Sequence, residues 1–430
     1  MCTGYQEWQP PFPPLQLSVQ EKQECRDLAM ALLDRTLRSC DARDAGFRSR
    51  RHHSQLDSAR WRRIKTQTNA SFYSERDNRA KRDLPGPGDI WQRHASLLAV
   101  GTIQSSLEEV MLGVVTPDVG ALKLRGAALL SQNMDGATLT KLASPTEENP
   151  FQSMNIMWVV GHPPMPIKMV ARPQDYIMLS TSGIMTLPDG ERIGYDVSQP
   201  LQLPGCPSQP NMTRGKLLYG ALYRETEDGS VDVFVQVYLE NQCRLLDVLV
   251  MNALWYSVLG FWDAPHLAEL KKLEWCLANR EHLGVSNDHG RQRNTSRRCE
   301  RCPPKVNRFF SRWRNVFRSK NSCAVCSARL CSSCCIKRVF KVPGNKTKGP
   351  ALRDVRVTLC RSCLSFVQEQ NPSDISWRIH EQFMLDDNHA LGQLAWGIED
   401  SFSPLLRPPK KFFSITRLSF KSIDLDKDLD

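Results

Sequence analysis

Eight cysteines in four pairs, each with two residues between its members, stand between residues 299 and 363: Cys299/Cys302, Cys323/Cys326, Cys331/Cys334 and Cys360/Cys363. A two-residue gap lets a tight knuckle aim two thiolates at one ion while backbone amides point at the sulfurs. Disulfides are the competing use. The N-terminal stretch MCTGYQEWQPPFPPLQL lacks a basic segment followed by an apolar core, so the expected compartment is a reducing cytosol. Eight thiolates suit two tetrahedral zinc sites of four cysteines each, whereas a single iron–sulfur cluster needs only four cysteines in all. Only four residues separate Cys326 from Cys331, too few for both middle pairs to grip one ion comfortably. The spacing therefore predicts interleaving. Cys299, Cys302, Cys331 and Cys334 would hold one ion, Cys323, Cys326, Cys360 and Cys363 the other, with Cys335 spare. Structural zinc of this kind contributes on the order of 10 kcal/mol to folding.

Charge is concentrated in the same region. The chain of 430 residues has net charge +11, yet residues 291–350 alone carry 17 Lys/Arg against a single acid, Glu300. Such a field calls for an anionic partner: a membrane surface, an inositide headgroup or nucleic acid. The most membrane-like stretch, LLDVLVMNALWYSVLGFW (245–262), is interrupted by Asp247 and Asn252 and is barely long enough to span. It is expected to be a buried domain helix. The sequons at Asn69, Asn211, Asn294 and Asn345 carry no weight in a cytosolic chain.

Four regions are expected. Residues 1–89 hold a helix within 16–40 and a polar, partly disordered stretch that ends on Pro-Gly-Pro-Gly. Residues 90–285 form the main domain, 286–368 the zinc module and 369–430 a C-terminal tail with one short apolar patch (381–399) that suits a helix. In the main domain Ile103, Leu107, Val110 and Met111 predict a helix capped by Thr102. Strand signals follow at 153–161, 167–180, 191–197, 216–225 and 231–240, with turns at Pro188-Asp189-Gly190 and Asp228-Gly229. An apolar helix from about Leu245 then closes the domain. One helix, a run of antiparallel strands and a closing apolar helix predict a curved sheet around that helix, with an apolar hollow between them.

In this order of elements, with Trp158, ARPQDY (171–176), TLPDGERIGY (186–195) and DGSVDVFVQVYLE (228–240), the segment resembles the START lipid-transfer superfamily. The resemblance implies an α+β helix-grip fold with a tunnel for one apolar lipid, lined by Met157, Trp158, Met169 and Met178. The plain alternative is that these side chains fill a solid core.

The cysteine intervals resemble the FYVE-type cross-brace zinc finger. Members of that family bind phosphatidylinositol 3-phosphate on endosomal membranes through a basic Arg-Arg/Lys-His-His run before the third cysteine. The matching positions here read Ser319, Lys320, Asn321 and Ser322, so only Lys320 fits, and Ser327 stands where the family has Gly. The interval between the second and third cysteines forms the family's membrane-inserting loop. Here it reads KVNRFFSRWRNVFRSKNS (305–322). As a helix it would put Phe310, Trp313 and Phe317 on one face with Phe309 beside them, ringed by arginines. Arg318, Lys320, Lys337 and Arg338 are the candidate headgroup ligands, each worth about 1 kcal/mol near an anionic leaflet.

No nucleophile elbow, P-loop or dinucleotide fingerprint occurs in the chain. Zinc sites filled by four cysteines leave no open metal position for an activated water, so no enzyme is expected. The expectation is a cytoplasmic, peripheral membrane protein, docked on endosomal or other anionic membranes, with an apolar lipid as ligand and two structural zinc ions. The alternative is a zinc-finger adaptor for protein or nucleic acid with a filled START-like scaffold. Nucleic acid, which Arg with Trp and Phe also suits, ranks behind the membrane.

Overall fold

The computed structural model describes residues 11–45, 60–76, 94–130, 134–161, 173–240, 247–280, 321–343 and 352–386, apart from Pro14, Thr68 and Pro210, together with Leu283, Cys299 and Arg301. All the described residues fall within one compact unit.

Helix α1 (Val19–Ala45) starts where Ser18 and Glu21 close a reciprocal cap: the Glu21 amide donates to Ser18 Oγ at 3.2 Å, and the Ser18 amide to Glu21 Oε2 at 2.8 Å. Strands β1 (Trp61–Gln67), β2 (Ala70–Glu75) and β3 (His94–Ile103) follow. Helices α2 (Leu107–Val114) and α3 (Val119–Leu130) lead into β4 (Met134–Ala143), β5 (Ser153–Gly161), β6 (Gln174–Thr186), β7 (Arg192–Pro200), β8 (Thr213–Arg214), β9 (Leu217–Glu225) and β10 (Val231–Glu240). Then come α4 (Asp247–Leu259), a 3-10 turn (Gly260–Asp263) and α5 (Ala264–Ala278). The strands make one ten-stranded sheet of order β1-β2-β3-β10-β9-β7-β6-β5-β4, antiparallel except where β8 pairs with β6.

Alternation along each strand sorts the sheet into two faces. Leu97, Ala99, Tyr223, Val233 and Val235 meet α2, α4 and α5 on the inner face. Leu98, Ile193, Val197, Leu222 and Phe234 meet Leu32, Leu33 and Cys40 of α1 on the outer face. A sheet closing on a C-terminal helix is the helix-grip arrangement that the order of sequence signals predicts. The positive φ of Gly190 (86°) and Gly229 (77°) supports both predicted turns.

Three expectations are corrected. β1 and β2 lie in the segment read as polar and partly disordered, yet they extend the main sheet through β3, so the domain begins well before residue 90. Helix α2 is capped by Ser106, whose Oγ accepts from the Glu109 amide, because Thr102 is still paired in β3. After α6 (Arg361–Gln368), the assigned tail holds α7 (Pro372–Asp386). It packs on α2 and α5 with Ile375, Ser376 and His380 buried, ahead of most of the apolar patch at 381–399.

Helices α2 and α5 cross at Gly113. A Cβ there would stand 2.1 Å from the carbonyl oxygen of Ala264. The contact is with backbone, so the helices must separate to admit a methyl. Gly113→Ala is expected to lower stability by about 1–3 kcal/mol, the usual cost of overpacking, in denaturant unfolding.

Candidate functional site: the cysteine cage and the interior of the grip

The zinc-module segment comprises β11 (Asn321–Ser322) paired with β12 (Arg329–Leu330), the hairpin β13 (Ile336–Pro343) and β14 (Leu352–Leu359), and helix α6. Its knuckles bring two sets of sulfurs together. Those of Cys323, Cys326, Cys360 and Cys363 lie within 4.8 Å of one another and are buried. Those of Cys299, Cys331 and Cys334 form a second, half-buried group of the same compactness, while Cys302 lies outside the described residues. The sets interleave along the chain.

Backbone dipoles are arranged for thiolate charge. The Cys360 amide points at Cys323 Sγ (3.3 Å), and the Cys363 amide caps Cys360 Sγ (3.4 Å) at the N-terminus of α6. The Arg301 guanidinium reaches Cys326 Sγ at 3.5 Å. Cys323 is pushed down to about 4, first by the Cys363 thiol and then by backbone amides against the cost of burial. Cys363 moves up, because it donates to that thiolate and is itself buried. Four sulfurs this close cannot all ionise without a cation between them, and a soft tetrahedral ion is what such a donor set fits.

Ser327 follows the second knuckle with φ 58°, and its amide donates to Cys323 O at 2.9 Å. A serine with left-handed backbone costs about 1 kcal/mol. Ser327→Gly is therefore expected to stabilise the module by about that amount, read as a higher midpoint in thermal unfolding.

The finger is not a separate bead. Its Val325, Leu330, Phe340, Val357, Leu359 and Val367 belong to the same continuous apolar core as Leu267, Leu270 and Leu273 of α5. Phe340 stacks on His266 at 5.1 Å. Arg338 Nε donates to Glu269 Oε1 at 2.7 Å, so Arg338, a candidate headgroup ligand, is committed to α5 instead. Lys337 remains exposed on the neighbouring position of β13. Lys272, almost wholly buried, donates to Glu109 of α2 and to the Gln368 carbonyl (3.0 Å) that ends α6. Arg318, Lys320, Phe309, Phe310, Trp313 and Phe317 lie outside the described residues.

Inside the grip, Met157 faces Met178 across β5 and β6. With Val159 they form a small apolar cluster beside Leu122, Met134, Tyr176 and Leu217, distinct from the main core and bordering it at Leu217. Trp158 is not among them. Strand alternation turns it to the outer face, where it meets Phe12 edge-on (5.4 Å) and donates to Asp175 Oδ2 (3.0 Å), itself held by Arg214. Met169 is outside the described residues.

A buried polar node, invisible to motif reading, lies on the same inner face. Arg125 of α3 donates to Asp196 Oδ2 of β7 (2.8 Å) and to the Val114 carbonyl (2.9 Å), and Tyr219 donates to Asp196 Oδ1 (3.1 Å). Burial pulls the Arg125 guanidinium down, and the Asp196 carboxylate together with Tyr219 and Tyr223 more than reverses it. The Tyr223 hydroxyl is buried and has no hydrogen-bond partner among the described residues. An isolated Arg and Asp in a sequence carry no sign of pairing; their register across a sheet and a helix creates the node.

Nearby, Lys271 donates to the carbonyls of Leu112 (2.7 Å) and Val115 (2.9 Å). Burial, with Arg125 close by, brings it down to about 7, and burial raises Glu274 to about 7 against the pull of Lys271. A carboxyl raised in the fold keeps its proton between about 4.5 and 7 while the unfolded chain has lost its own, so stability falls as pH rises through that window. Glu274→Gln removes this slope. Its stability relative to the parent chain should improve from pH 5 to pH 7 by at most about 1.4 kcal/mol per pH unit, measured by urea unfolding at each pH.

No family model matches the chain, and no curated protein matches it. Solved structures do. Human StAR-related lipid transfer protein 5 is similar at 13% identity and TM-score 0.37, over 57% of this chain and 98% of that one. Human STARD10 follows at 14% and 0.33, over 56% and 84%, and the lipid transfer and protein localization domain of human StarD13 at 13% and 0.33, over 47% and 88%. The assignment of the helix-grip fold rests on the strand order and closing helix described above. No helix among the described residues is long and apolar enough to cross a membrane.

Proposed function

We propose that this protein is a peripheral membrane lipid-binding protein rather than an enzyme. Its helix-grip interior holds one apolar ligand, and two structural zinc ions fold a FYVE-like finger that docks on an anionic, phosphoinositide-containing membrane such as that of endosomes. Cys323, Cys326, Cys360 and Cys363 would hold one ion, and Cys299, Cys331 and Cys334, with Cys302, the other. In each, zinc supplies a tetrahedral cross-link. The single observation that carries the lipid reading is the division of the inner sheet face. One half is a dense core under α2, α4 and α5, and the other is the separate Met157–Val159–Met178 cluster. Unbranched thioethers repack around a guest more readily than branched side chains. The buried Tyr223 hydroxyl and the Arg125–Asp196 node face the same interior and offer hydrogen bonds to the polar end of a mainly hydrocarbon ligand.

Native mass spectrometry of the full chain tests this reading. A co-purified lipid is expected, and Met157→Trp with Met178→Trp should displace it while the protein still folds. An empty grip in the parent chain would refute lipid holding. For the finger, Phe310→Ala with Trp313→Ala should weaken sedimentation with phosphoinositide vesicles, and unchanged binding would refute insertion at that loop.

A further inference from the structure

The edge of the main sheet carries a surface that neither the lipid cluster nor the finger uses. Strand β1 reads WRRIKTQ, and after the buried Trp61 every side chain is exposed. A bulge falls at Ile64: Arg63 pairs with Tyr73, but Lys65 pairs with Phe72. The extra residue resets the alternation. Arg62, opposite Ser74, and Lys65, opposite Phe72, consequently share the face that Phe72 presents to α4. There Lys65 Nζ sits 3.9 Å over the Trp255 ring, and Tyr256 lies against Trp255 with centroids 4.0 Å apart and the rings tilted by 31°. Tyr256 is nonetheless 60% exposed and Ile64 37% exposed, both large hydrophobic side chains left in water. Arg62, Arg63 and Lys65 make no ion pair among the described residues, whereas Arg60 next to them is paired with Glu75.

We propose that the β1 edge and α4 form a second membrane-docking surface, on the helix-grip domain itself, whose partner is an anionic lipid bilayer. Charge complementarity selects that occupant. Arg62 and Lys65, with no acidic partner among the described residues, share the face of the projecting Tyr256, and Arg63 and Ile64 line the same strand edge, the chemistry of a segment that lies at a headgroup boundary. A second copy of this chain adding to the sheet edge would set arginine against arginine across a bulged strand, the arrangement that edge strands use to prevent pairing. A single-stranded nucleic acid needs open aromatic faces on which to stack its bases. Here Lys65 covers one face of Trp255 and Tyr256 lies against the ring, so Trp255 offers little stacking surface and a single aromatic, Tyr256, projects. The surface is independent of the finger and of the zinc ions.

The test is vesicle co-sedimentation of the full chain, with phosphatidylcholine vesicles that contain or lack phosphatidylserine and no phosphoinositide. Arg62→Gln with Lys65→Gln should weaken binding to the anionic vesicles about thirtyfold, at ~1 kcal/mol per basic side chain. Tyr256→Ser should weaken it several-fold. Added salt should weaken the parent chain and narrow its difference from the double variant. All three substitutions are at exposed positions, so unfolding midpoints should match the parent chain, and Phe310→Ala with Trp313→Ala should leave the Arg62/Lys65 effect intact. Parent-level vesicle binding in both the Arg62/Lys65 and the Tyr256 variants overturns the proposal. So does a parent chain that binds a single-stranded oligonucleotide through these residues but no vesicle, or a Tyr256→Ser that turns a dimer into a monomer in analytical ultracentrifugation.

Discussion

Cys323→Ser is expected to lose one equivalent of zinc and, with it, the fold of the finger and a measurable part of the stability of the helix-grip domain. The first half follows from the donor set. A serine oxygen leaves a three-sulfur site, and metal binding in such modules amounts to on the order of 10 kcal/mol of folding free energy. The module's own core is small, with Val325, Leu330, Phe340, Val357, Leu359 and Val367 as its main fully buried aliphatic and aromatic side chains. The second half follows from where that core is continuous. When β13 and α6 come loose, α5 loses the Phe340 stack on His266 and the Arg338 bond to Glu269. Lys272 also loses the Gln368 carbonyl while it remains nearly buried beside Glu109. Stranding one donor of a buried ammonium costs about 1–3 kcal/mol. Zinc measured by plasma mass spectrometry should fall by one ion per chain, and the helix-grip unfolding midpoint should drop in Cys323→Ser and in chelator-treated parent protein alike. A midpoint that stays put while the metal is gone would mean that the finger does not brace α5.

The parts of this architecture that are legible in the sequence are those written locally. The β9–β10 hairpin announces itself by Asp228-Gly229 between alternating strands, and β10 runs over Val231–Glu240 as its pattern predicts. The interleaving of the cysteine pairs can be read from one short interval, since chain length alone makes it awkward for Cys326 and Cys331 to serve the same ion. What escapes is set by long-range pairing. WRRIKTQ has no hydrophobic alternation, because as an edge strand it buries only Trp61, and its membership of the sheet is decided by β2 and β3. Trp158 reads as a neighbour of Met157 in a pocket, yet adjacency along a strand places two side chains on opposite faces. Arg338 reads as free in a basic run because its partner Glu269 is 69 residues away. The loop at 305–320, Met169 and Cys302 lie outside the described residues, and their assigned roles stand on spacing and chemistry.

The other large effect is expected at Asp196. Asp196→Ala should destabilise the chain by about 3–5 kcal/mol, the cost of leaving one member of a buried ion pair without its partner. Asp196 is 2% exposed, and its two oxygens receive Arg125 Nη1 and the Tyr219 hydroxyl. Without the carboxylate, the guanidinium, 8% exposed, keeps among the described residues the Val114 carbonyl and the face of Phe261, 4.7 Å away. The double variant Arg125→Met, Asp196→Leu removes both charges at similar volume and should recover most of the loss, since the desolvation cost of the pair disappears with it. Urea unfolding of the parent, the single and the double variant gives the three free energies. The pairing argument fails if the double variant is as unstable as the sum of the two single replacements, because the node would then be held by packing and not by charge. Ligand occupancy reports on a different property of the same residues. If the parent chain carries lipid in native mass spectrometry and the double variant folds well without it, the charge pair serves the ligand rather than the fold, together with the Tyr223 hydroxyl, which has no hydrogen-bond partner among the described residues.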